Sequence, residues 1–309
     1  RNIFIYTLLL IFFVILFWPY LWRNPFSGIV EIIRQTPRIL WGETVLYFGE
    51  YIKATQLPWH YVPVWIGITT PILYSFFFVV GCIVSVRHLL DRSRWAAGVS
   101  KDYFLFLSAF VLPVALVAGL NSTLYDSWRH MFFVYPAFVL IALIGLKAIY
   151  ELIKRYCRGE SYFAIRASLS VFIIFSLSST VVSMIQYHPF QNVYFNVLAG
   201  RDMKTIKDRF DLDYWGLSYR QALEKILEKD KEENIALHDA VGFVGPMANN
   251  IKILPIGDRK RLGPVGSSEE AKYVLTNYRW HKQDYRYPDE FFSICVGNAK
   301  IMSVFRLKH

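Results

Sequence analysis

Five long apolar runs fall within the first 187 residues, and 122 more polar residues follow. Ile3–Trp22 and Tyr61–Val86 contain no charged residue, and neither do Tyr103–Leu120, Met131–Leu146 and Ala167–Tyr187. The first two are long enough as helices to cross roughly 30 Å of hydrocarbon. A soluble helical bundle would show polar stripes at a helical period, and these runs show none. The sequence therefore predicts a polytopic helical membrane domain over residues 1–187, with about five transmembrane helices. A small α/β soluble domain is expected over 188–309.

The net charge of +10 raises the question of nucleic acid, and its distribution answers it. Residues 1–187 carry 15 Lys/Arg against 8 Asp/Glu, and residues 188–309 carry 19 against 16. Most of the excess lies among the apolar runs, so no nucleic-acid partner is expected. Lys and Arg mark the cytoplasmic side of short loops. Loop 87–102 holds Arg87, Arg92, Arg94 and Lys101, and residues 147–166 hold Lys147, Lys154, Arg155, Arg158 and Arg166. The alternating loops 23–61 and 121–130 hold only five basic residues in 49 positions, against nine in 36. The amino end is thus expected inside, and loops 23–61 and 121–130 outside with the tail. A bacterial inner membrane with a periplasmic carboxy-terminal domain fits this pattern. The first run lacks a small-residue cleavage site and ends in Phe17, Trp18, Tyr20 and Trp22, which suits a retained helix rather than a signal peptide. The start at Arg1 implies that more chain precedes it. Cys82, Cys157 and Cys295 fall in three different environments, so neither a disulfide nor a cysteine metal site is expected.

The long loop 23–61 is expected to hold two amphipathic segments. One is a short helix capped by Ser27 and stopped before Pro37, and the other runs from Glu43 to Ala54. Thr69-Thr70-Pro71 interrupts the second span, where neighbours can satisfy the freed carbonyls. Aromatic-rich His188–Asn196 reads as a membrane-interface segment. In the tail, Leu217–Lys229 reads as a helix. Asn234–His238, Lys252–Pro255, Lys272–Thr276, Phe291–Val296 and Ile301–Phe305 read as short strands.

No phosphate-binding glycine loop, His-Glu-x-x-His or Gly-x-Ser-x-Gly pattern is present, so a soluble-enzyme reading has no motif behind it. Loop 121–130 concentrates the useful chemistry in Asp126, Arg129 and His130. An arginine at the outer end of a span can grip a phosphate with two parallel hydrogen bonds. Asp126 is spaced to orient Arg129 or His130. The alternative is that Arg129 reaches the lipid headgroups and Asp126 caps the fourth span. Glu43, Glu50, His60 and His188 are further outer-face candidates for contact with substrate, against the plainer reading of solvated charges and structural histidines. Nothing in the spacing supports a divalent metal, and no cofactor is assigned.

Trp128-Arg129-His130-Met131-Phe132-Phe133-Val134-Tyr135-Pro136 resembles the signature at the start of a late span in family 39-like glycosyltransferases. These are polytopic GT-C enzymes related to protein O-mannosyltransferases and the lipid A aminoarabinose transferase. Leu57–Trp65 with Thr69-Thr70-Pro71, His188–Asn196 and Leu212–Tyr219 also resemble segments of bacterial members, in the same order. The resemblance implies sugar transfer from a polyprenyl-phosphate donor to a glycan, lipid or protein acceptor on the outer face. It implies Arg129 at the donor phosphate, and an acceptor-activating carboxylate in a first outer loop that has no counterpart here. Two other classes compete. A non-catalytic membrane subunit with a partner-binding tail would lack that carboxylate. A transporter would favour charges within its spans, which are absent here.

Overall fold

The computed structural model describes residues 2–35, 41–91, 93, 100–242 and 244–307. Contacts divide the chain into two compact units, Arg1–Gly42 and Glu43–His309.

The first unit holds α1 (Asn2–Phe17) and α2 (Pro25–Gln35), joined by a 3-10 turn at Pro19–Trp22. Proline cannot donate to the preceding turn and disfavours helix at the residue before it, so α1 stops at Phe17 rather than reaching Trp22. Its 16 residues span roughly 24 Å, short of a bilayer core. The expected five spans therefore become four helices of membrane length and one shorter apolar helix. The start of α2 is at Pro25, so Ser27 lies inside the helix rather than capping it; Pro37 lies outside the described residues.

In the second unit, β1 (Thr44–Tyr47) and β2 (Glu50–Lys53) form an antiparallel hairpin, not the expected amphipathic segment. Phe48 and Gly49 both take positive φ (51° and 91°), the geometry of the two-residue turn that matches strand twist. The β-branched and aromatic content of Thr44–Tyr47 favours the strand over a helix.

The helices follow. α3 (Tyr61–Thr69) breaks at Pro71 and continues as α4 (Ile72–Leu90). Then come α5 (Lys101–Gly119), a 3-10 turn at Arg129–Val134 leading into α6 (Tyr135–Tyr156), and α7 (Gly159–Gln186). Arg92 and Arg94 of the basic loop lie outside the described residues. α4 and α6 pack with backbones in contact: a Cβ on Gly81 would sit 1.9 Å from the Ile141 carbonyl oxygen, and one on Gly145 would sit 2.0 Å from that of Phe77. Small residues at such a crossing let two helices approach where lipid offers no hydrophobic drive. α5 and α7 have no buried residue, although α5 from Tyr103 and α7 from Ala167 carry no charge on any face. Such helices need an apolar solvent. Four helices are long and apolar enough to cross a membrane, and the chain is a membrane protein on that ground.

The tail adds α8 (Met203–Lys207), α9 (Ser218–Lys229), β3 (Ile235–Asp239), α10 (Val244–Lys252), α11 (Ile256–Lys260), β4 (Leu262–Pro264), β5 (Tyr273–Thr276), β6 (Glu290–Val296) and β7 (Ala299–Arg306). The sheet order is β4-β3-β5-β7-β6; β3 runs parallel to β4 and β5, and β7 antiparallel to β5 and β6. Four expected strands and the expected helix are present. Lys252–Pro255 is not a strand. Met247, Ile251 and Leu254 are buried at helical spacing, so packing carries α10 through Lys252, and Pro255 opens the next helix. The edge strand β4 contains Gly263 and Pro264, residues that hide a strand from sequence patterns.

Candidate functional site

The break after α3 leaves backbone carbonyls unpaired within an apolar bundle, where each would cost free energy. Asn196 takes them. Its side-chain amide donates to Gly67 O and Thr70 O at 2.6 Å each, and its backbone N–H donates to Ile68 O at 2.8 Å. His188–Asn196 is therefore not only an interfacial aromatic segment, since Phe190, Val193, Phe195 and Asn196 are buried. Loop 121–130 locks onto the same corner: the Trp128 indole donates to Thr69 Oγ1 at 3.0 Å, and Thr69 donates to Trp65 O.

Two consecutive residues of that loop, Asp126 and Ser127, adopt left-handed backbone (φ 56° and 62°), and both are buried. Aspartate tolerates this conformation better than serine. Held conformations of this kind cost about 1–3 kcal/mol each and persist where surroundings enforce them. Here the Ser127 hydroxyl lies 3.4 Å from the Tyr214 hydroxyl. The Asp126 carboxylate turns inward between two guanidinium groups: Oδ1 accepts from Arg279 Nη2 at 2.6 Å, and Oδ2 lies 3.1 Å from Arg129 Nη2. Asp126 thus does not cap the fourth span, which begins after Trp128 with no side-chain cap.

The two arginines differ. Arg279 is buried and also donates through Nη1 to the Tyr214 carbonyl. Arg129 keeps 30% of its side chain exposed, and its guanidinium lies 4.8 Å from the centre of the Tyr125 ring. Its Nε is buried with no partner among the described residues. Arg129 is therefore a held, part-open cation, not a freely ranging one.

A second carboxylate, Asp211, stands behind the pair. Its Oδ2 accepts from the Leu46 backbone N–H at 2.9 Å. It borders a cavity of about 20 Å³, the size of one water molecule, lined also by Arg279, Tyr214 and Asn277. Burial pushes its carboxyl up to about 6; Arg279 pulls against that rise and Asp126 adds to it. Next to it Asp213 accepts from the backbone N–H groups of Leu217 and Ser218 and from the Ser218 hydroxyl, fixing the start of α9. Burial raises this carboxyl too, against those hydrogen bonds.

The hairpin is stitched to the tail around this cluster. Trp280 donates to Thr44 O, Lys282 Nζ to Gly49 O, and Gly49 N to Arg209 O. The rings of Tyr47, Tyr61, Trp65, Phe195 and Phe210 fill the joint. Loop 121–130, the hairpin and the tail thus share one end of this unit.

The other sequence candidates stand apart. His130 is exposed and meets the Tyr125 ring edge-on. Glu43 and Glu50 are exposed on the hairpin. His60 Nδ1 lies 2.7 Å from the Tyr47 hydroxyl, whereas His188 Nδ1 lies 2.8 Å from Gln191 Nε2, so the two histidines serve different neighbours. Cys82, Cys157 and Cys295 are free. Among the described residues no group of three or more His, Cys, Asp or Glu could hold a metal ion. Sequence reasoning missed Arg279 and Asp211. Asp211 carried a faint signal, as an acid within the aromatic Phe210–Trp215. Arg279, which follows β5, carried none.

No protein-family model, curated protein or solved structure matches this chain.

Proposed function

We propose that this chain is part of an integral membrane glycosyltransferase that moves a sugar from a polyprenyl-phosphate donor to an acceptor on the outer face. Arg129 is the donor-phosphate contact in this reading. The observation that carries it is the state of Arg129: anchored on one side by Asp126 and Tyr125, open on the other, with a buried Nε–H that has no acceptor among the described residues. A phosphate would meet the exposed part of the guanidinium, which Asp126 and Tyr125 already hold in place. The guanidinium would then offset the charge that grows on the phosphate as the glycosyl bond breaks. Further support comes from the four segments that resemble family 39-like enzymes. They meet around one corner, through Trp128 on Thr69, Asn196 on Gly67 and Thr70, and Tyr214 beside Ser127. Residue Asp126 positions Arg129, and no acceptor-activating base is assigned within the chain. In this reading the end that carries Arg129 faces the periplasm of a bacterial inner membrane, with the basic loops 87–102 and 147–166 on the inner side.

The test is Arg129→Ala and Arg129→Lys in the full-length protein, matched for abundance in membranes. Transfer from a polyprenyl-phosphate sugar and binding of polyprenyl phosphate alone are both measured. Alanine is expected to abolish both. Lysine should lose most of the transfer, because an ammonium cannot make the planar two-pronged contact. Near-normal transfer with lysine would show that Arg129 only reaches the headgroups, and near-normal transfer with alanine would remove it from the site.

A further inference from the structure

Away from the Asp126 cluster, α6 and α7 enclose a groove of about 420 Å³. Its walls are two matching stripes. Leu143, Leu146 and Lys147 line it from α6, and Arg166, Leu169 and Ile173 line it from α7. Each stripe repeats at a helical period, so each is one continuous helix face. The charges are not symmetric along the groove. Lys147 and Arg166 lie toward the end where the two helices meet at 156–159, and the leucines and Ile173 lie toward the middle of both helices. No acidic side chain lines this groove, although Asp102 and Glu151 line a separate cavity on the other side of Lys147. Arg166 is set in place, with its guanidinium 5.8 Å from the centre of the Tyr150 ring, and Tyr150 is hydrogen-bonded to Tyr162 at 3.1 Å. Neither cation forms an ion pair among the described residues.

Two cations at the mouth of an apolar channel that opens sideways match an amphiphile with a negative head. We infer that this groove binds one anionic phospholipid, its phosphate between Lys147 and Arg166 and one acyl chain along Leu143, Leu146, Leu169 and Ile173. The inference rests on the membrane assignment and not on the sugar-transfer reading. Basic pockets between transmembrane helices recognise anionic headgroups, whereas juxtamembrane charges attract them only diffusely. That difference makes the site testable. Lys154, Arg155 and Arg158 supply the diffuse field nearby but do not line the groove.

The experiment uses the full chain in phosphatidylcholine vesicles with a trace of spin-labelled phosphatidylglycerol, and reads the association of the labelled lipid relative to labelled phosphatidylcholine. Lys147→Gln and Arg166→Gln should each lower that preference about tenfold or more, as expected for loss of a charge-assisted hydrogen bond to the phosphate. Arg158→Gln removes only a share of the diffuse field and should lower it by at most about fivefold, less than either groove variant. Leu169→Trp, which fills the groove without altering charge, should release the lipid as well. Soluble glycerol phosphate should not displace it, since the chain contributes to binding. The inference is overturned if Arg158→Gln lowers the preference as much as the groove variants do, if the Lys147→Gln/Arg166→Gln double variant keeps the wild-type preference, if Leu169→Trp retains the lipid, or if glycerol phosphate competes. Circular dichroism confirms that each variant used is folded.

Discussion

Replacing Arg279 by methionine keeps much of the side-chain volume and removes the charge that binds the tail to loop 121–130. Asp126 and Arg279 are both more than nine-tenths buried and meet at 2.6 Å. Removing one partner of a buried ion pair costs about 3–5 kcal/mol, because the other charge stays behind unpaired. Arg129 remains 3.1 Å from the carboxylate, which holds the loss to the low end of that range. The Tyr214 carbonyl also loses its donor, worth about 1 kcal/mol. The expected cost is therefore about 3–4 kcal/mol. Equilibrium unfolding of the full chain in mixed micelles, followed by tryptophan fluorescence, would measure it. Asp126→Asn alone leaves Arg279 facing Asp211 and takes away a charge that raises the Asp211 carboxyl. The double variant Asp126→Asn/Arg279→Met strands neither charge, so its cost should fall short of the sum of the singles by about 2 kcal/mol. A single-variant cost under about 1 kcal/mol, or simple additivity, would mean that the pair does not hold the loop to the tail.

Three further outcomes are expected. The Asp211 carboxyl is raised from 3.8 to about 6, so its neutral form is the one the fold prefers; that contribution is full below pH 3.8 and is lost as pH rises through about 6, leaving at most about 3 kcal/mol forgone at neutral pH. Asp211→Asn should accordingly stabilise the protein at pH 7.5 and change little at pH 4, and a destabilised variant at pH 7.5 in the same unfolding assay would refute the assignment. Gly145→Val drives side-chain atoms into the Phe77 carbonyl of α4, and should cost about 3 kcal/mol or more by overpacking. Gly67→Ala, where a Cβ meets nothing within 4 Å, should be neutral or slightly stabilising; equal effects from the two substitutions would contradict the α4–α6 crossing.

The helices were legible because hydrocarbon imposes a crude requirement, a long run without charge, that needs no knowledge of neighbours. What that criterion cannot see is where a run is interrupted. Pro19 and Pro71 both lie in apolar stretches, yet one shortens α1 and the other splits α3 from α4. The Pro71 break is tolerated because Asn196, some 126 residues further on, answers the Thr70 carbonyl. The hairpin was misread for a related reason. Thr44–Lys53 is short, and its period is ambiguous until the partner surface is known. The Leu46 N–H on Asp211 and the Tyr47 bridge to Phe210 supply that surface.

The candidate site was half legible, and the division follows sequence distance. Asp126 and Arg129 lie three residues apart, so spacing alone brings them together. Arg279 lies 153 residues from Asp126 and reaches it only because β5 ends beside the Asp211–Tyr214 segment. Its place beside Asp211 nonetheless sets the charge of the cluster. With Asp211 ionised, the two arginines and two aspartates sum to no net charge, and with Asp211 neutral they carry one positive charge. On the proposed reading, in which Arg129 contacts a phosphate, the cluster accepts it more readily when Asp211 is protonated, and binding of polyprenyl phosphate should tighten as pH falls through about 6. In Asp211→Asn that dependence should vanish and binding should stay at its low-pH strength. A pH profile unchanged by the substitution would separate Asp211 from the phosphate contact and leave it only its hydrogen bond to the hairpin.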